Sequence, residues 1–409
     1  MIRFVLADLR RLAAGALVIV LLVALATALG VAVTLQERAL RLGSARAADR
    51  FDLVIGAAGS ETQLVLSAIF LQAAPLPLVP GRLLDDLSAD PRVAWAAPVG
   101  FGDFALGLPI VGTTEPLVAS AGPLTEGRSF ADSGEAVVGA AVPLALGASV
   151  RPMHGLPEEG GQLHAGIVYR VVGRMPPTGT PWDRAILVPI EAVWHVHGMG
   201  DGHLQHKDAD GDDHDGAEAE ADHKHVAPFG IAPGVPAIIV KPKTIADAYR
   251  LRAEYRTGAT LAVFPGEVLT RLYATLGDAK TVLSLVAIGA QALVAAAIGL
   301  VTIVHIGQRR RQIGALRAFG APRLAIFGIV WGEIFLLVGG GVIAGFGLGY
   351  LAARLISARF TAANGVVLPV TFESADAGLA LALLGLAALL AALPAALAYR
   401  HSPAAALRS

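Results

Sequence analysis

The sequence predicts an α-helical membrane protein with four transmembrane helices and one large α+β domain outside the cytoplasm. Three observations predict it. Only 16% of the 409 residues are charged, against about 25% in soluble domains. The apolar excess, 55% of the chain, gathers in one block near the start and three near the end. Between the first two blocks lie about 245 residues of mixed composition, enough for a domain with its own core, arranged in two lobes.

A bilayer core about 30 Å thick asks for about 20 apolar helical residues. Residues 12–35 are a run of 24 without a charge. A secretory signal core has only about 7–15 apolar residues. The first run therefore reads as a retained anchor, although Arg3, Arg10 and Arg11 precede it as they would a signal. Residues 281–306 form the second run, with His305 at its edge. Residues 324–350 form the third, interrupted by Glu333, and residues 377–399 the fourth, with Pro394 near its end. The apolar stretch 64–71 is too short to span and is expected as a core helix of the outer domain.

Lys and Arg favour the cytoplasmic side of a membrane. Arg309, Arg310, Arg311, Arg317 and Arg323 lie between the second and third runs, and Arg3, Arg10, Arg11, Arg400 and Arg408 lie at the ends. Four alternating spans put all of them on one side. Both termini are then cytoplasmic, and residues 36–280 and 351–376 lie outside. The chain divides into residues 1–36 (terminus and first span), 37–280 (outer domain) and 281–409 (membrane domain with the other three spans).

Composition also excludes functions. A net charge of −1 and a pI near 6.8 give nucleic acid no purchase. The absence of cysteine removes disulfides, thiol nucleophiles and cysteine-based zinc sites. No GxxxxGK[ST] loop is present to cradle a nucleotide phosphate.

In the outer domain, residues 137–138, 167–172, 185–188 and 237–240 read as short strands bounded by Gly and Pro, and 83–87 and 244–255 as helices. One segment stands apart. Seven of the 11 histidines fall within residues 195–225: His195, His197, His203, His206, His214, His223 and His225. Acids from Asp201 to Asp222 are interleaved with them. Between Leu204 and Val226 there is no large apolar residue, so this stretch cannot bury a core. Imidazole and carboxylate suit zinc and its neighbours, so the seven histidines are candidate ligands; a solvated insertion without a selected metal is the other reading. The spacing of Asp208 to Gly216 does not fit a calcium loop.

In the membrane segments, Glu333 reads as an interhelical hydrogen-bond partner or an interfacial residue, or else as a polar gate or coupling residue. Gly341, Gly345 and Gly349 recur at steps of four, a spacing that lets two helix backbones approach, within the chain or across a dimer. Residues 308–323, QRRRQIGALRAFGAPR, read as a short basic amphipathic helix closed by Gly320 and Pro322.

This last segment, from Arg309, Arg310 and Arg311 through Ile313, Leu316, Arg317, Phe319 and Gly320, resembles the loop after the second span of MacB/FtsX/LolE-type ABC permeases. The start and the ending SPAAALR at 402–408 are similar to that family, as is the layout of spans. FDLVIGA at 51–57, QLVLS at 63–67, PTGTPWDR at 177–184 and VFPGE at 263–267 resemble one branch, the YbbP group. The His-rich loop departs from the wider family. The resemblance implies a MacB-like periplasmic core domain and a multi-pass protein of the bacterial inner membrane. It also implies a permease homodimer that catalyses nothing and binds no cofactor, with ATP held by a separate cytoplasmic ABC ATPase docked on 308–323. Zinc at the His-rich loop and a periplasmic partner are further expectations.

Three functions fit this reading. One is an ATP-driven permease acting on an outer-compartment substrate. Another is a signalling scaffold of the FtsX type that activates an external hydrolase. The third, an anchored metal-binding protein without a motor, is opposed by the arginine-rich loop and the C-terminus.

Overall fold

A computed structural model describes residues 13–155 except 73, residues 162, 163 and 166–199, residues 233–275 except 257, scattered helical positions between 281 and 296, and residues 320–400. The chain divides into a helical unit (Met1–Gly43, Tyr273–Ala362 and Leu368–Ser409) and a sheet unit (Ser44–Leu272 with Ala363–Val367).

In the sheet unit, β1 (Leu53–Ala57) lies between β11 (Ala237–Pro242) and β12 (Thr260–Val263), antiparallel to both. Leu53 pairs with Val240 and Val54 with Val263. The strand β2 (Val93–Ala105), 13 residues long, is the hinge of the architecture. Its first half pairs with β11 and its second with β3 (Leu108–Thr113), so one strand joins two sheets. Beyond β3 the order continues through β10 (Ile186–Pro189), β5 (Glu135–Val138), β9 (Tyr169–Arg174) and β4 (Glu126–Gly127). The β3–β10 and β5–β9 pairs are parallel and the others antiparallel. Short β6 (Ser149–Val150) adds to β9, and β7 (Met153–His154) pairs with both β2 and β8 (Gln162–Leu163).

One apolar core serves both sheets, including Leu53, Ile110, Ile186, Ile190, Ile238 and Leu251. Three helices close it, α3 (Arg82–Ala89), α5 (Ile190–Val196) and α6 (Ile245–Glu254), while α2 (Glu61–Ala68) and α4 (Glu115–Ser120) bury Leu64, Val65, Leu117 and Val118 outside this cluster. Ser60 caps α2 by accepting the Gln63 amide at 3.3 Å, and Thr244 caps α6 through the Asp247 amide at 3.1 Å. At the sheet rim the hydrogen-bonding Arg128 guanidinium outweighs burial and pushes the Glu135 carboxyl down to about 2.

The four strands expected from sequence coincide with β5, β9, β10 and β11, and the two expected helices with α3 and α6. The expected core helix at 64–71 is α2, which stops at Ala68 and buries Leu64 and Val65.

The helical unit contains most of α1 (Ala13–Ala48), α7 (Arg323–Asn364) and α8 (Ser374–Arg400). Among the described residues, Ala13–Ala48 and Leu324–Asn364 are long and apolar enough to cross a membrane, and Ser374–Leu389 is apolar but shorter. Of the span expected at 281–306 only scattered helical positions between 281 and 296 are described, so the expected four spans are not all observed. Leu17, Ile343 and Leu381 are each about two-thirds exposed or more, the outward apolar surface a lipid-facing helix carries.

Two helices outrun the boundaries read from sequence. The helix α1 continues past residue 36 to Ala48, and α7 past residue 350 to Asn364. Apolarity ends there but helix-forming sequence does not: residues 351–364 contain neither Gly nor Pro. Gly365, at φ +76°, supplies the left-handed residue that stops α7. The 42 residues of α7 span about 63 Å at 1.5 Å per residue, about twice a bilayer core.

Candidate functional site

The helical unit is built on a seam between α1 and α7. A Cβ placed on Gly341 would lie 2.6 Å from Val23 Cβ, one on Gly345 2.5 Å from Thr27 Cβ, and one on Gly349 2.8 Å from the Ala28 carbonyl oxygen. The three glycines therefore bring α7 against the backbone of α1, a contact within the chain. Val23, Ile334, Val338, Val342, Ala387 and Ala391 pack around this seam and tie in α8. Trp331 stacks on Phe335 at 5.0 Å and donates its indole N–H to the Ala388 carbonyl at 2.9 Å. Glu333 is half-buried on α7.

At one end of the seam sits a polar clasp. Arg38 on α1 donates to both carboxylate oxygens of Asp376 at 2.7 and 3.1 Å, pairs with Glu373 at 3.3 Å and donates to the Thr371 carbonyl at 3.2 Å. The Arg38 and Asp376 side chains are each 9% exposed. Asp376 also accepts the Glu373 amide at 2.8 Å in the first turn of α8, and Ser357 on α7 donates to Gln36 Oε1 at 3.2 Å. A fork-to-fork pair of this kind fixes orientation as well as distance. Sequence reasoning did not find it. Arg38 and Asp376 are 338 residues apart, and the only local signal is a charge just beyond each apolar run.

The connection between α7 and α8 belongs in part to the sheet unit. Residues Ala363–Val367 are grouped there. The Val367 amide donates to the Gly179 carbonyl at 3.2 Å, and a Cβ on Gly365 would meet the Thr180 oxygen at 2.9 Å. The receiving loop is the PTGTPWDR motif. Asp183 organises it by accepting from the Thr178 amide, the Thr178 hydroxyl and the Gly179 amide at 2.6–2.7 Å. Trp182 anchors it by donating to the Ile69 carbonyl at 3.1 Å.

The remaining site residues read from sequence are placed as follows. Gly320 is an exposed turn residue at φ +90°, and Pro322 follows it at the start of α7. Arg309, Arg310, Arg311, Ile313, Leu316, Arg317 and Phe319 lie outside the described residues, as do His203, His206, His214, His223 and His225. His195 is exposed in the last turn of α5, and His197 follows as its C-cap.

Residues 284–404 match the model of the FtsX-like permease C-terminal family. This chain ends in an FtsX-like permease domain. The match leaves Ser44–Leu272 of the sheet unit outside it. No curated relative matches. Among solved structures, the periplasmic region of MacB from Actinobacillus actinomycetemcomitans aligns at 9% identity and a TM-score of 0.33, covering 55% of this chain and 95% of that one. The extracellular domain of the noncanonic ABC-type transporter YknZ from Gram-positive bacteria aligns at 12% identity and 0.29, covering 52% and 98%.

Proposed function

We propose that this FtsX-like chain is the membrane subunit of an ABC transporter and carries ATP-driven motion from a separate cytoplasmic ATPase to its sheet domain. The carrying observation is the family match over 284–404, which includes the basic segment 308–323. In this reading Ile313, Leu316, Arg317 and Phe319 form the docking handle, and two permease chains work with two ATPases. Both termini are cytoplasmic, in a bacterial inner membrane.

The architecture supports transmission. From the turn after Gly320, α7 runs unbroken to Asn364, and the residues that follow belong to the sheet unit. A displacement at the handle therefore has one continuous helix to travel along. The glycine seam and the Arg38 clasp favour rigid-body movement over bending, because packed interfaces shift between discrete arrangements rather than deform.

Co-purification with the ATPase encoded beside this gene tests the reading. The wild-type chain should retain the ATPase in detergent, and a chain carrying Ile313→Asp, Leu316→Asp and Arg317→Asp should lose it. Retention by the triple variant removes the handle; absence of association in either removes the ATPase partnership.

A further inference from the structure

Three residues distant in sequence meet in the sheet unit, and each is put there by a separate device. Asp103 lies near the end of β2, just after a bulge in which the pairing skips Gly102. Bulges re-aim side chains, and the Asp103 carboxylate is buried, with a side chain 3% exposed. His154 stands opposite it, because β7 pairs with β2 in the register Asp103↔His154. His197 arrives from above. Gly100 and Gly112 face each other across β2 and β3, and a Cβ on either would strike Ile190 or Val193 of α5 at 2.5–2.6 Å. The absent side chains let α5 settle on the sheet, and its C-cap, His197, comes down beside Asp103.

The distances favour a shared ligand over a hydrogen-bonded triad. Asp103 Oδ1 is 3.4 Å from His154 Nδ1 and 3.8 Å from His197 Nε2, both longer than a good N–H···O bond. The three ligand atoms lie within 4.8 Å of one another. Tetrahedral bonds of about 2.1 Å to a zinc-like ion put neighbouring ligand atoms about 3.4 Å apart, close to the two measured edges. The Nδ1–H of His197 donates to the Val193 carbonyl at 2.9 Å. That bond turns the ring so that Nε2 points toward Asp103, the orienting contact metal-bound histidines ordinarily make. His154 is 61% exposed, so solvent reaches the cluster and can fill a fourth position.

We propose that Asp103, His154 and His197 form an exchangeable binding site for a divalent first-row transition cation, zinc foremost. Two imidazoles and one carboxylate suit such an ion and not calcium or magnesium. The site is distinct from the histidine-rich tract, sharing with residues 195–225 only His197. It stands whether or not the chain works with an ATPase, since its test reads metal alone.

The test uses the full chain in detergent, with His203, His206, His214, His223 and His225 all changed to Ser to silence the tract. Cobalt(II) is titrated and followed by its visible d–d absorption. One equivalent should bind with an intense low-symmetry band, and zinc should displace it. Adding His154→Ala or His197→Gln should weaken binding at least about tenfold. Melting temperatures without metal check that both variants remain folded, and the exposed His154 makes its removal the safer of the two. A silenced chain that takes up no cobalt, or a folded His154→Ala chain that binds as before, overturns the proposal. Binding confined to the unsilenced chain assigns the metal to the tract and overturns it equally.

Discussion

The α1–α7 seam yields a prediction that two nearby glycines can decide. Changing Gly345 to Ala places a methyl carbon 2.5 Å from Thr27 Cβ and 2.7 Å from the Ala24 carbonyl oxygen. Carbon atoms are comfortable at about 3.5–4.0 Å, so α7 must retreat by roughly 1 Å, and overpacking of that kind costs about 1–3 kcal/mol. Against this, alanine is favoured over glycine in a helix interior by about 0.8–1.0 kcal/mol. Gly347, two residues on, has no atom within 4 Å of its hypothetical Cβ. There the same substitution meets no obstacle and gains the propensity term alone. The two variants carry identical chemistry on one helix, so propensity cancels between them. Gly345→Ala should be less stable than Gly347→Ala by about 1–3 kcal/mol, measured by SDS-driven unfolding of the purified chain in mixed micelles. Equal stabilities would show that α1 and α7 do not pack through these glycines.

Two further outcomes follow from the same geometry. Replacing Arg38 by Met strands the buried Asp376 carboxylate and should cost about 3–5 kcal/mol, whereas Arg38→Met with Asp376→Leu should recover more than half of that in the same assay; a single variant as stable as wild type would refute the clasp. The Glu135 carboxyl is depressed in the folded protein from an ordinary 4.5 to about 2, so its contribution is complete above the ordinary value and is lost as pH falls through about 2. Denaturant titrations at steps between pH 6 and 2 should show this loss, and Glu135→Gln should flatten the decline in that window.

What the sequence makes legible follows the range of the forces involved. Membrane helices announce themselves through uninterrupted apolar runs, and glycines at steps of four signal close packing, because both are local patterns. The helix ends are less legible, since lipid-facing composition stops at residues 35 and 350 while helix propensity persists to Ala48 and Asn364. Gly365 is the local cue to the second ending. The strand β2 is hidden for the opposite reason. Pro98, Gly100, Gly102 and Asp103 all disfavour a strand, and tertiary pairing with β11 and β3 overrides them. Asp103 and His154 were likewise invisible as partners of His197, because nothing near them in sequence reports a register set by β7.

The position of β1 bears on how the protein is made. Its neighbours β11 and β12 leave the ribosome about 190 and 210 residues after it, as the Leu53–Val240 and Val54–Val263 pairs require, a highly non-local topology of the slow-folding kind. The apolar strand that follows the first helix thus spends most of synthesis without either flanking strand. Until Val263 has emerged, its unpaired edges are open to wrong pairings, and a chain truncated between β11 and β12 would leave one edge of β1 exposed for good.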